Sequence, residues 1–270
     1  RFVLKIFTIV RMMEDCDEAP AEIRISAEVC GRKVTIFKRN LAVFDGQDPY
    51  FFDSDYTIAG STGFLLWEAN WLLIELINKK LQASLAGKKV LDLGSGTGLS
   101  GLAAAAAGGH VLLTDLPSVL KGMLTKNVLY NKTDGEVAED AWKGAIPIFQ
   151  GSATTCPLDW TEPLDSQITL NDPRNAECII AVDTIWLKDI FLSFVDLVLE
   201  VLKFKGPNSC DCYLAFVERA EENSILFVRR KTVVSTFIER GCDVETLLER
   251  EVLIDSEPRI GMVLCITWRG

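Results

Sequence analysis

The sequence predicts an α/β fold: a Rossmann-like, seven-stranded sheet with helices on both faces. Three observations carry it. Lys89 to Asp115 reads KVLDLGSGTGLSGLAAAAAGGHVLLTD. This is an apolar run, a glycine turn, an Ala-rich stretch and a second apolar run closing on an acid, the layout of a nucleotide-binding βαβ unit. Strand-like and helix-like stretches then alternate from 88 to 242, as a mostly parallel sheet requires. The chain ends on Val244 to Ile254 and Ile260 to Trp268, which read as an antiparallel hairpin.

The remaining elements follow in order. Ile23, Ile25 and Val29, then Val34 and Ile36, alternate around Cys30-Gly31-Arg32-Lys33 and predict an N-terminal β-hairpin extension. Residues 45–63, rich in Asp, Gly and aromatics, read as a loop ending at Gly60-Ser61-Thr62-Gly63. Leu65 to Leu85 has helical periodicity, with Gly87 as its stop. Pro117 opens a helix that ends near Asn131; residues 132–145 are polar and irregular, and 146–150 form a short strand. Residues 161–175, with two prolines and several turn formers, read as an exposed insertion. A strand over 176–182 ends at Asp183, a helix over 191–204 stops at Gly206-Pro207, a strand covers 212–217, and a helix covers 223–240.

No repeat or linker divides the chain, so residues 22–270 are expected to be one domain. Residues 1–21 are expected to be disordered or foreign to the functional protein, with 1–11 outside the native chain. Phe2 to Val10 is far shorter than the ~20 residues of a membrane span. An acidic stretch follows it where a signal peptide would carry a cleavage site.

Hydrophobic residues make up 49% and charged residues 24%, an ordinary globular composition. The net charge of −10 argues against nucleic acid as a partner, because phosphate neutralisation needs a basic face. Eight cysteines without a CxxC pair, beside the single His110, read as reduced thiols and not as a metal site. The chain is therefore expected to be a monomer, cytoplasmic with the nucleus as a second compartment, without metal and away from membranes.

Two templates fit the glycine turn: Gly94-x-Gly96-x-Gly98, and the dinucleotide pattern Gly96-x-Gly98-x-x-Gly101. Register with the strand favours the first, because the turn must begin directly after Leu93. Asp92 agrees, since a carboxylate there repels a pyrophosphate and attracts an ammonium. Asp115 is placed for a ribose diol. The expected cofactor ligands are Asp92, Gly94, Ser95, Gly96, Thr97, Gly98, Asp115 and Leu116, and the ligand they suit is a cationic nucleoside such as S-adenosylmethionine. Asp183 and Trp186 lie beyond the fourth core strand, where α/β sheets bind ligands. They read equally as an amine-positioning acid with a channel wall or as a helix cap with a core tryptophan. Trp160 is a candidate to stack on adenine and Trp67 a second cofactor contact, each with a core role as its alternative. Glu218-Arg219 reads as a surface ion pair, with a place lining the substrate mouth as its alternative.

Taken together, Gly63-Phe64-Leu65-Leu66-Trp67-Glu68-Ala69, the 90–98 motif, Leu113 to Pro117, Asn127 and Asn131, Leu158-Asp159-Trp160 and Ala181-Val182-Asp183 carry a likeness. From about residue 22 onward the chain resembles the seven-strand methyltransferase family that contains the non-histone protein lysine methyltransferases with a DxxY-type motif. The resemblance implies S-adenosylmethionine as cofactor and a lysine ε-amine on a folded partner, such as a chaperone or an elongation factor, as substrate. It implies that Trp67, Gly94, Gly96 and Asp115 hold the cofactor and that Trp160 flanks the adenine. Asp183 would lie beside cofactor and target amine, with Trp186 as its catalytic neighbour. The chain departs from the family at Trp186, where Tyr or Phe is usual, and in its 161–175 segment. The rival readings are a methyltransferase acting on a small molecule or a protein N-terminus, and a non-catalytic cofactor-binding interaction protein.

Overall fold

The computed structural model describes residues 20–43, 58–221, 224–254 and 256–270. The expectations for residues 1–19 and for most of the 45–63 loop lie outside them. Strands β1 (Glu22–Val29) and β2 (Arg32–Arg39) form the expected hairpin. Cys30 and Gly31 turn it with φ of 48° and 75°, the paired positive φ of a tight two-residue hairpin turn.

The main sheet contains β3 (Lys89–Leu93), β4 (His110–Asp115), β5 (Ile146–Ile148), β6 (Gly151–Pro157), β7 (Cys178–Val182), β8 (Asp211–Val217), β9 (Cys242–Ile254) and β10 (Glu257–Trp268). Their order is β5-β6-β4-β3-β7-β8-β10-β9. The central β6-β4-β3-β7-β8 strands are parallel, and β10 and β9 close one side antiparallel. The sheet has eight strands where seven were expected: the run read as a strand over 146–150 is the three-residue β5, antiparallel to β6 at the edge, and β6 itself was given no bounds by the sequence reading. From β3 the chain winds one way to β4 and β6, then resumes at β7 and β8 on the other side. The crevice beyond β3 and β7 is therefore the topological switch point, where open α/β sheets bind ligands.

Both faces of the sheet are covered, so its strands are apolar on both sides. Val90, Val111, Leu113, Ile180 and Ala215 face one way, onto α1 (Ala69–Leu76) and α2 (Leu99–Ala106). Leu91, Leu93, Leu112, Ile179 and Leu214 face the other, onto α4 (Lys188–Lys205) and α5 (Arg230–Glu239). Ala103 to Ala107 are almost fully buried, and their small side chains let α2 lie close to the sheet. No helix among the described residues is long and apolar enough to cross a membrane.

Four expectations need correction. Residues 58–62 form a short helix where a loop was expected. The helix expected from Leu65 starts at Ala69, because the Phe64 carbonyl accepts the Arg39 N–H and ties the preceding segment to β2. The helix expected from 223 starts at Arg230, because a β-bridge between Leu187 and Phe227 holds the chain extended. The 161–175 segment is not simply exposed: Leu164, Asn171 and Pro173 are buried, and Asn171 clamps the Lys143 backbone through both its amide groups.

The N-terminal hairpin joins the sheet domain through α3 (Thr125–Tyr130) and the residue that follows it. Asn131 Oδ1 accepts the Thr35 N–H (2.9 Å) and its Nδ2 donates to the Thr35 carbonyl (2.6 Å). Asn127, four residues earlier, does the same for Phe37 (2.8 and 2.9 Å) and also donates to the Thr97 carbonyl in the glycine turn (2.8 Å). Two side chains one helical turn apart thus read alternate residues of β2 and satisfy its free edge. Asn131→Leu leaves both Thr35 groups buried and unpaired, at about 1–3 kcal/mol for each group. Urea unfolding followed by circular dichroism is expected to show a lowered midpoint, and an unchanged midpoint would contradict this anchoring role.

Candidate active site

The glycine turn closes on its own backbone. Ser95 N–H donates to the Thr114 carbonyl (2.9 Å), Thr114 N–H donates to Ser95 Oγ (3.0 Å), and Gly98 N–H donates to the Ser95 carbonyl (2.7 Å). Gly94 and Gly96 have φ of 66° and 54°, a region that penalises any side chain. A Cβ at Gly94 would also lie 2.9 Å from the Trp160 ring and 2.7 Å from the Thr184 methyl, and one at Gly96 would lie 3.2 Å from the Gly63 carbonyl. The turn is therefore bare backbone gripped between β6, β7 and the segment before α1. Ser95 and Thr97 are buried in it, so as cofactor ligands they can offer only main chain.

Asp115 Oδ2 accepts the Gly96 N–H (2.7 Å) and Oδ1 accepts the Leu116 N–H (2.8 Å). The half-buried carboxylate keeps lone pairs for further donors. Burial pushes its carboxyl up to about 6.

Asp92 is placed differently from the sequence expectation. It is wholly enclosed beneath the turn, where Oδ2 accepts from Ser100 Oγ (3.1 Å) at the start of α2. It supports that helix, whose first position, Gly98, has no side chain to cap with. Burial, with a smaller contribution from the Asp115 charge, pushes its carboxyl up to about 7. Asp92 Oδ1, Trp160 Nε1 and Thr184 Oγ1 are buried polar atoms without a protein partner. Trp160 and Thr184 meet over Gly94, two residues from Asp92, and their unmet hydrogen bonds fit a ligand end with both donors and acceptors. Thr184 gave no signal in the sequence. Trp160, half-buried, stands edge-on to Phe194 at 5.3 Å.

The largest correction concerns Asp183. Its side chain has no exposed surface. Oδ2 accepts the Ala69 N–H (2.9 Å) at the first turn of α1, while Oδ1 accepts the Val217 N–H (3.0 Å) and an Arg219 N–H (2.9 Å). The residue itself is held at φ 52°, a left-handed conformation that Asp tolerates better than most residues. A carboxylate so enclosed cannot touch an incoming amine or a cofactor, and its role is to fix three elements in place.

Those elements carry the groups that do face the crevice. Trp67 stacks on Trp186 with ring centres 6.4 Å apart and planes at 28°, and Trp186 meets Phe227 at 6.2 Å. Trp186 thus forms a wall with no titratable group. Arg219 lies over Trp67 at 4.9 Å and bonds Glu68 Oε2 at 3.0 Å. The expected Glu218–Arg219 surface pair does not form: Glu218 accepts the Arg230 N–H at the start of α5 (2.8 Å), and Arg219 turns inward. The sequence left Arg219 open between a place at the substrate mouth and a surface ion pair and gave no signal at Phe227, because each gains its role from a partner distant in the chain. Among the described residues no group of His, Cys, Asp and Glu could hold a metal.

Asp183→Ala strips three donors of their shared acceptor. Loss of a buried charge partner costs about 3 kcal/mol. The expected outcome is a markedly lower urea midpoint, and wild-type stability in this variant would refute the anchoring role.

A profile of the family described as lysine methyltransferase matches residues 53–232, more than half of the chain. EEF1A lysine methyltransferase 3 of Mus musculus is 31% identical over 166 residues, 61% of this chain and 60% of that protein. Protein-lysine N-methyltransferase EEF2KMT of Mus musculus is 29% identical over 173 residues, 63% of this chain and 48% of that protein. Protein N-lysine methyltransferase METTL21A of Danio rerio is 30% identical over 127 residues, 47% of this chain and 50% of that protein. The chain thus spans about half to three fifths of the length of these curated relatives. The matched span holds Trp67, the glycine turn, Asp115, Trp160 and the Asp183–Arg219 pair, and the chain belongs to the lysine methyltransferase family.

Proposed function

We propose that this chain methylates a lysine ε-amine of a non-histone protein, with S-adenosylmethionine as the methyl donor. One observation carries the reading: the bare glycine turn and the Trp67–Trp186–Phe227 wall stand at the same end of the sheet, on either side of the switch point. A nucleoside site and an apolar-walled site for a cation thus face one crevice. Relatives named for EEF1A and for protein lysine support this choice of substrate over a small molecule.

S-adenosylmethionine, when bound, supplies a methyl group on a sulfonium. The backbone of Gly94 and Gly96 would admit the nucleoside, Asp115 would accept from its ribose hydroxyls, and Trp160 would flank the adenine. The unpartnered hydroxyl of Thr184 would face the amino-acid end. Methyl transfer to an amine is an in-line displacement, so holding the reactants aligned supplies most of the rate, about 7–11 kcal/mol in well-oriented systems. The target lysine must arrive neutral from a free pKa of ~10.4. Trp67 and Trp186 strip water from it, which favours the neutral amine. Asp183, through Ala69 and Arg219, keeps that wall in register with the glycine turn. We place the reaction in the cytoplasm on a soluble monomer, a reading that the seven free cysteines among the described residues support.

Incubation of cell lysate with methyl-tritiated S-adenosylmethionine and this chain is expected to label a protein band whose hydrolysate contains methyl-lysine. Label confined to small molecules or RNA would overturn the proposal, and purified EEF1A is the first single protein to test.

A pH effect follows from the raised Asp115 carboxyl. Donors from a bound ligand favour its ionised form, so binding releases protons where the free carboxyl is still partly protonated. Affinity is expected to rise from pH 5.5 to 7 as the pH passes about 6. Titration calorimetry at pH 6.5 in buffers of different ionisation enthalpy should show proton release, and a pH-independent affinity over that range would contradict it.

A further inference from the structure

We propose that Glu68 is the carboxylate that receives the target ammonium, the place that the family resemblance implied for Asp183. The inference rests on the lysine methyltransferase reading and deepens it by naming the group that selects a cation. Glu68 holds the N-cap position of α1, yet its side chain makes no capping bond there. Asp183 supplies that bond from β7 by accepting the Ala69 N–H. Glu68 is thereby free to project outward, with 37% of its side chain exposed, while the side chain of Asp183 has none.

One oxygen of Glu68 is fixed by Arg219 at 3.0 Å, and the other has no partner among the described residues. The same guanidinium lies over Trp67, so the free oxygen is locked beside the aromatic wall by a rigid cation. Ammonium groups bind where a carboxylate and aromatic faces converge. Arg219 adds a second effect. Its positive charge weakens the grip of Glu68 on the proton of the arriving amine, so the group can dock as a cation and still become neutral. Arg219 is then a positioning residue and Glu68 a substrate-binding one.

The test uses the full chain with n-butylammonium chloride as a lysine-tip probe and n-butanol as its neutral counterpart. Saturation-transfer NMR is expected to show butylammonium binding to the wild type, n-butanol binding more weakly, and Glu68→Gln binding butylammonium about tenfold more weakly, the order of one charge-assisted hydrogen bond. Glu68→Gln is also expected to lower kcat/KM for the labelled lysate protein by about tenfold or more, with melting temperature and S-adenosylmethionine affinity unchanged. Equal butylammonium binding by wild type and Glu68→Gln overturns the proposal, as does equal binding of n-butanol and butylammonium by the wild type. A wild type that labels no protein overturns the methyltransferase reading instead, and that failure is separate because the probe measurement does not use transfer.

Discussion

The Asp183 carboxylate is the interaction on which the rest of the site depends. Through two oxygens it joins the start of α1, the end of β8 and the Arg219 guanidinium, and its own N–H donates to the Ala215 carbonyl. Ionised and buried, it would be costly without donors; with three it is satisfied and its geometry is fixed. Trp67 lies two residues before α1, Arg219 follows β8, and Trp186 follows Asp183 itself. These three groups of the crevice take their positions from the one buried carboxylate.

Asp92 and Glu218 show the same device. Asp92 reaches from β3 to Ser100 in α2, and Glu218 reaches from beyond β8 to the first amide of α5. The helices of this sheet begin without capping side chains of their own: Glu68, Gly98 and Arg229 make no capping bond. Acids at strand ends supply the missing acceptors from across the chain, where the exposed amides and the helix dipole attract negative charge. This couples helix placement to the sheet edge that also binds ligands, so the crevice and the fold share supports.

The sheet was legible because its signals are local. Apolar runs of strand length, the Gly94 to Gly98 turn and the closing hairpin each sit within a few residues of one another. The hairpin docking was half legible: Asn127 and Asn131 stood out, but that they would bond Thr35 and Phe37, some 90 residues earlier, needs the fold. The strand-end acids were legible as positions and illegible as roles. Asp115 keeps surface toward the crevice and Asp183 does not, and nothing near either residue distinguishes them. The difference comes from Arg219, 36 residues on, and from Ala69, 114 residues back.

That distinction also explains how the chain can carry tryptophan at 186. A hydroxyl there would matter only if the site relied on it to order the amine. Here the ring is held from three directions: stacked on Trp67, met by Phe227, and fixed by its own carbonyl accepting the Val228 N–H at 3.1 Å. A larger apolar face so braced excludes more water than a phenol would, and exclusion of water is what drives an amine toward neutrality. The polar work then falls to groups with solvent access, while the buried acids keep those groups still. On the proposed function, the loss of a tyrosine hydroxyl is compatible with methyl transfer, because alignment and desolvation come from the wall and its anchor.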